Sequence, residues 1–207
     1  MKTIETTNKS IKTIVKSEID RLGYHADLNH IDVSDVKDMS LLFSYTRFNG
    51  DISKWEASHV TNMWNIFRGS HFNGDLSGWD VSSVKNMSAM FQESKFNGDI
   101  SSWDVSNVTD MRSMFSSSDF NGDISKWNVS NVTDMGFMFY ESEFNGNISK
   151  WNVSNCMDFS YMFCDSRFTG DISGWNVNPN ANIDEMFRGG APNIPEWYEK
   201  RMNKNKK

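Results

Sequence analysis

Aspartate returns through this 207-residue chain at a fixed interval. Asp27, Asp51, Asp75, Asp99, Asp123 and Asp171 are spaced by 24 residues or a multiple of it, with Asn147 in the intervening place. A file of carboxylates can do two kinds of chemistry. It can bridge a cation such as calcium, which takes about six to eight oxygens, or each carboxylate can accept hydrogen bonds from the backbone of its own turn. Each repeat supplies few oxygens, and like charges stacked at strand spacing repel. The turn role is therefore the expected one, and no tight calcium site is expected. In a second column (Asp38, Asp110, Asp134, Asp158), Asp110 and Asp134 follow Asn107 and Asn131 by three residues. That is the spacing of a helix N-terminal box, with a carboxylate near the positive end of the helix.

The other reactive residue types point to packing. Of the 13 methionines, ten fall into two columns: Met39, Met63, Met87, Met111 and Met135, and Met90, Met114, Met138, Met162 and Met186. Thioethers adapt to the gaps between aromatic rings, so both columns read as core. His25, His30, His59 and His71 share no repeat position, whereas zinc needs three or four convergent ligands; no metal or other cofactor is expected. Cys156 and Cys164 are the only thiols; they cannot form a disulfide framework and fit a reducing compartment. Phosphate-binding, dinucleotide, nucleophile-elbow and HExxH motifs are absent, and columns do not converge on a pocket, so no enzymatic activity is expected.

The elements that must position these residues are set by the repeat. Phe48, Phe72, Phe96, Phe120, Phe144 and Phe168 share the 24-residue period with Trp55, Trp79, Trp103, Trp127, Trp151 and Trp175. Tyr24, Leu28, Ile31, Val33, Val36, Met39 and Phe43 extend it backwards, giving seven coils that start at residues 24, 48, 72, 96, 120, 144 and 168. In the fourth coil Trp103 and Val105 alternate with polar residues as a strand does, while Val108, Met111 and Phe115 form an i, i+3, i+7 helical stripe. Asn97, Gly98 and Asp99 read as a tight turn whose glycine is free to take positive φ.

The expected fold is an α/β repeat solenoid, a leucine-rich-repeat-like stack of seven strand–helix coils with N- and C-terminal helical caps. Residues 1–23 are the N-terminal capping helix, with Ile11, Ile14, Val15, Ile19 and Leu22 on its apolar face. Residues 24–191 are the solenoid. Residues 192–207 are the C-terminal capping helix, marked by Pro195, Trp197, Tyr198 and Met202, with a basic tail.

The repeat resembles the BspA-like surface-protein repeat of bacterial and mycoplasmal proteins, a leucine-rich-repeat relative written around FNGDISxWDVSNVTDMxxMF; residues 120–135, FNGDISKWNVSNVTDM, follow it closely. The match spans residues 24 to about 190. The resemblance implies a right-handed solenoid, a role in adhesion or protein binding, and no family enzymology.

Charge narrows the partner. Residues 1–23 carry five basic against three acidic side chains and residues 192–207 five against two, so of the total charge of −6 the intervening body holds −11. Nucleic-acid binding needs clustered Lys and Arg; this body favours a protein partner with a basic surface. No apolar run approaches the roughly 20 residues of a membrane span, so no membrane insertion is expected. The first residues lack the apolar stretch of a secretory signal, which gives a cytoplasmic expectation, or a cell-surface or secreted one if a leader was removed.

Two surfaces depart from the repeat. Beside the Trp column stand Asp32, Glu56, Asp80 and Asp104, then Asn128, Asn152 and Asn176, with Lys126 and Lys150 before Trp in coils five and six. This is a charge-graded strand face. On the outward helix positions of the same two coils stand Phe137, Tyr140, Met157, Tyr161 and Cys164, where other coils hold small or polar residues. Met157, Tyr161 and Cys164 are spaced for one helix face, and stacking sets Phe137 beside Tyr161. These residues make the chain a non-enzymatic interaction scaffold, with inhibition of a basic or nucleic-acid-binding protein as a sub-case and an exported adhesin as the alternative.

Overall fold

A computed structural model of the chain describes residues 3–190 and 193–204. They contain two helices, α1 (Ile11–Leu22) and α2 (Glu196–Lys204), and two strands of two residues each, β1 (Ile4–Glu5) and β2 (Ile31–Asp32), paired in parallel. The expected stack of seven strand–helix coils with helical caps is not what the chain builds. Among the described residues no helix lies between Gly23 and Asn193, and β2 is the one named strand there. The 24-residue period appears instead as lateral pairing between successive windows: single parallel bridges join Asp38 to Asn62, Asn62 to Asn86 and onward to Asn182.

The helix fails for a local reason. In the fourth window the N–H groups of Met114 and Ser116 bond to the carbonyls of Met111 and Ser113, and Ser113 and Ser117 take φ of 56° and 52°. A left-handed residue every fourth position stops a right-handed helix. The N–H groups of Met111, Ser113, Phe115 and Ser117 then point sideways, to Asp134, Gly136, Met138 and Tyr140 carbonyls of the next window at 2.7–3.0 Å. A helix would have turned those donors to its own i−4 carbonyls. Val108, Met111 and Phe115 are buried all the same, so the stripe that reads as helical is a row of chained turns.

The strand fails at the carboxylates. Asp99, Asp104 and Asp110 each accept, through Oδ1, the N–H of the residue two positions on, Ser101, Ser106 and Arg112, at 2.9–3.0 Å. These turns bend the chain before an extended run can form. They also replace the helix-capping role expected of the Asp110 column.

Ring files fill the interior. Phe48, Phe72, Phe96, Phe120, Phe144 and Phe168 stack at 6.2–6.4 Å between centroids. Phe43, Phe67, Phe91, Phe115, Phe139, Phe163 and Phe187 stack at 5.4–5.8 Å. The six Trp rings of the repeat are buried, and each indole N–H donates to a carbonyl of the preceding window, Trp127 to Ile100 at 3.1 Å for example. Both methionine columns lie wholly inside. The repeat glycine does not take positive φ at Gly50, Gly74, Gly98, Gly122, Gly146 or Gly170. It leaves room for the phenylalanine two residues before it: a Cβ on Gly122 would sit 2.9 Å from the Phe120 ring.

Residues 4–8 stand in for a preceding window. Ile4 N–H bonds to His30 O at 2.9 Å, and Asn8 Oδ1 accepts the N–H groups of Lys37 and Asp38. Helix α1 adds Ile11, Val15 and Ile19 to the core, and its Glu18 bonds Arg21 and, at 2.9 Å, His30 Nε2. At the far end Asn193 donates to Thr169 O, the Trp197 indole to Ile172 O, and Arg201 to the carbonyls of Asn178 and Ala181.

The turn carboxylates give stability a pH dependence. Serine backbone N–H groups are the main cause holding Asp32, Asp51, Asp99, Asp123 and Asp171 below the ordinary aspartate value. Serine hydroxyls are the main cause for Asp75, Asp80 and Asp104. Because the folded values are depressed, the contribution is complete above the unfolded value and is lost as pH falls through the folded one. Asp134, raised by burial, acts in the opposite direction but stands alone among the aspartates so shifted. Urea unfolding followed by tryptophan fluorescence is expected to give a steady midpoint between about pH 7 and 5 and a falling one below about pH 4. A midpoint that rises on acidification would refute this.

Candidate functional site

The lateral bonding that builds the windows also sets a column of left-handed residues, Leu41, Asn65, Ala89, Ser113, Phe137, Tyr161 and Glu185, with φ between 52° and 63°; Asn65 and Ala89 are buried and the others half-buried or exposed. Asparagine and small residues suit that conformation, and bulky ones do not. Phe137 and Tyr161 nevertheless occupy it in adjacent windows, half-buried and stacked at 4.7 Å with 12° between planes. Tyr140 leans on Phe137 at 5.8 Å.

One residue of this cluster carried no sequence signal. Arg112, in the window before, lays its guanidinium over the Phe137 ring at 4.9 Å and reaches Asp134 at 3.8 Å and Asp158 at 3.9 Å. Gly136 makes that possible, since a Cβ there would lie 2.8 Å from the arginine Nη1. The result is a file of cation, ring and ring across three windows, with carboxylates beside the cation. Such a surface combines a flat apolar area with a cation–π contact. Burial raises Asp134 above the ordinary value, against the pull of the Gly136 N–H and of Arg112.

The expected helical relation of Met157, Tyr161 and Cys164 does not exist, because no helix forms there. Cys164 is buried beside Asp165. Burial raises its thiol to about 11 and that of Cys156 to about 12, which keeps both protonated at neutral pH. Met157 is 43% exposed, with its N–H bonded to Thr133 O. The structure thus brings Phe137, Tyr140 and Tyr161 together, joins Arg112 to them, and places Met157 on the outside without the helix that tied it to Tyr161.

Of the expected strand face, only Asp32 lies in a strand. It is half-buried, with its Oδ1 bonded to Ser34 N–H. Glu56, Asp80, Asp104, Lys126 and Lys150 are exposed on irregular backbone. Asp80 and Asp104 each hold a serine N–H at 3.0 Å, and the charge of Asp80 opposes the lowering of Asp104. The side chains of Lys126 and Lys150 make no salt bridge among the described residues. Asp32, Asp80 and Asp104 are therefore committed to turns through Oδ1.

Among the described residues no three His, Cys, Asp or Glu side chains gather where a metal ion could be held, and no helix is long and apolar enough to cross a membrane. A second surface missed by sequence reasoning is a groove of about 480 Å³ between α1 and the first window, lined by Lys12, Val15, Lys16, Ile19, Leu42 and Tyr45 among others. Its residues lie in different segments, and no single stretch announces it.

The model of one protein family, described as "Mycoplasma protein of unknown function, DUF285", matches residues 10–119 and again 93–197. The two matches overlap, as a periodic sequence allows. No curated protein and no solved structure matches the chain.

Proposed function

This chain belongs to the DUF285 family, and from that premise we propose that it is a non-enzymatic binding protein that engages another protein through the Phe137–Tyr140–Tyr161 surface. The observation that carries this reading is the placement of two bulky rings at left-handed positions, φ 60° and 56°, where the three preceding windows hold Asn65, Ala89 and Ser113. Residues held in costly backbone regions persist where the local arrangement serves a purpose, and they cluster at binding surfaces. Aromatic side chains beside an arginine are the composition of an interface core.

The acidic column Asp32, Glu56, Asp80 and Asp104 widens the proposal to a partner with a basic surface, by charge complementarity. An inhibitor that occupies the basic, nucleic-acid-binding face of its target is one such case. The proposed site of action is the cytoplasm. The alternative, an exported surface protein or adhesin, rests on the closeness of FNGDISKWNVSNVTDM to BspA-like repeats; fractionation of the native host separates the two.

The test uses the full chain as bait at low and moderate salt, beside the F137S/Y161S double variant. Wild type is expected to retain one partner, more weakly as salt rises, and the double variant to lose at least about tenfold in affinity. Its unfolding free energy is expected to change by less than about 1 kcal/mol, since strain relief offsets lost ring contact. Capture unchanged in the variant, or a loss of several kcal/mol of stability as for a core ring, would reject the proposal.

A further inference from the structure

We infer that the two ends of the window stack are complementary and that this chain associates head to tail with a second copy, the last window of one molecule seating against the first window of the next. The inference is independent of the partner reading above.

The lateral bonding rule supplies the register. In each window four N–H groups donate to four carbonyls of the window that follows; Phe159, Tyr161, Phe163 and Asp165, for example, donate to Asn182, Asp184, Met186 and Arg188 at 2.8–2.9 Å. In the last window the equivalent donors are Ile183, Glu185, Phe187 and Gly189, none of which donates to a backbone carbonyl among the described residues; the Phe187 N–H faces the Tyr198 hydroxyl. In the first window the equivalent acceptors are the carbonyls of Asp38, Ser40, Leu42 and Ser44, which receive no hydrogen bond among the described residues. One end presents a row of donors and the other a row of acceptors with matching spacing. Unpaired rows of this kind template further pairing.

The caps make no backbone hydrogen bond to these rows among the described residues; Ser40, Leu42, Ile183 and Phe187 are buried, and Asp38, Ser44, Glu185 and Gly189 are the accessible members. Residues 4–8 satisfy the first window from His30 to Asp38 through Ile4, Thr6 and Asn8, and stop there. Asn193, Trp197 and Arg201 satisfy Thr169, Ile172, Asn178 and Ala181 of the last window, and leave Glu185 and Gly189 exposed.

Beside the unbonded acceptor row lies the groove of about 480 Å³ between α1 and the first window. Three of the large apolar side chains most exposed among the described residues, Tyr24, Leu41 and Tyr45, line it, the last 63% exposed. Its rim carries Lys12, Lys16 and Arg47 against one acid, Asp20. The donor row carries Asp184 and Glu185 against one base, Arg188. Charge and apolar surface therefore favour the same pairing, in the register that sets the exposed Gly189 N–H to donate to Ser44 O of the next copy. A contact between two different surfaces continues into an open chain of molecules unless its rotation closes a ring.

The test is sedimentation velocity of the purified full chain from about 1 to 500 µM in low salt, with variants K12E/K16E and D184K/E185K, each checked for fold by near-ultraviolet circular dichroism. Wild type is expected to gain mass with concentration, and each variant alone to associate at least about tenfold more weakly. An equimolar mixture of the two variants restores opposite charges at every contact and is expected to regain association. R47E on the other wall of the groove serves if K12E/K16E fails to fold. A wild-type chain that stays monomeric throughout, variants that associate as wild type does, or a mixture that gains nothing would overturn the inference.

Discussion

Phe115→Ala is expected to lower the unfolding free energy by about 3–5 kcal/mol, the range for deleting a fully buried ring. Phe115 has no solvent exposure and sits between Phe91 and Phe139 at 5.8 Å on either side, stacked on Phe120 at 4.2 Å and tilted to Trp127 at 6.3 Å. The neighbours cannot close the gap, because each is held by its own window through backbone bonds that repeat every 24 residues. A cavity thus persists, and its cost adds to the lost transfer energy. Phe187 has one ring of its file beside it, Phe163 at 5.6 Å, with Tyr198 edge-on at 5.0 Å. Phe187→Ala is expected at the lower end of that range or below. Urea unfolding of both variants measures the difference; a loss below about 1 kcal/mol at Phe115 would mean that the ring files are not a shared core.

Gly50→Ala is expected to destabilise by about 3 kcal/mol, at the upper end of overpacking effects. Its added Cβ would overlap Ala26 O and meet Ala26 N at 2.9 Å and the Phe48 ring at 2.7 Å, so the backbone of the first window must move. Gly122→Ala is milder, because the preceding carbonyl lies 3.6 Å away and only the Phe120 ring, at 2.9 Å, has to give. Gly78→Ala is the control: the nearest atom is Ser53 O at 3.9 Å and φ is not positive. There alanine is expected to be neutral or to stabilise by up to about 1 kcal/mol through the unfolded chain. The order Gly50, Gly122, Gly78 in urea midpoints tests the close-approach account. Equal effects at all three would favour a purely conformational role for glycine.

These expectations separate what the repeat does from what single windows do. The phenylalanine and tryptophan files, the methionine columns and the turn aspartates recur from window to window and maintain the stack. Arg112, Phe137 and Tyr161 do not recur, and neither do Lys12, Lys16 and Tyr45. The proposed binding chemistry is placed in the second group, since a residue needed in every window for packing cannot single out one place on the surface.

The period, the inward residues and the neighbour relation of Phe137 and Tyr161 were legible in the letters alone. Identical residues 24 positions apart stack whenever the windows stack, whatever path the backbone takes between them. The path itself was not legible. Val108, Met111 and Phe115 are buried in a helix and in a row of chained turns alike, so the apolar pattern cannot tell the two apart. What decides is where the N–H groups of Met111, Ser113, Phe115 and Ser117 find acceptors, and those acceptors lie in the next window. The left-handed backbone at Phe137 and Tyr161, the seat of Arg112 over Gly136, and the unpaired rows at the two ends all follow from that lateral choice. It is a long-range hydrogen-bonding decision, and only the tertiary structure contains it.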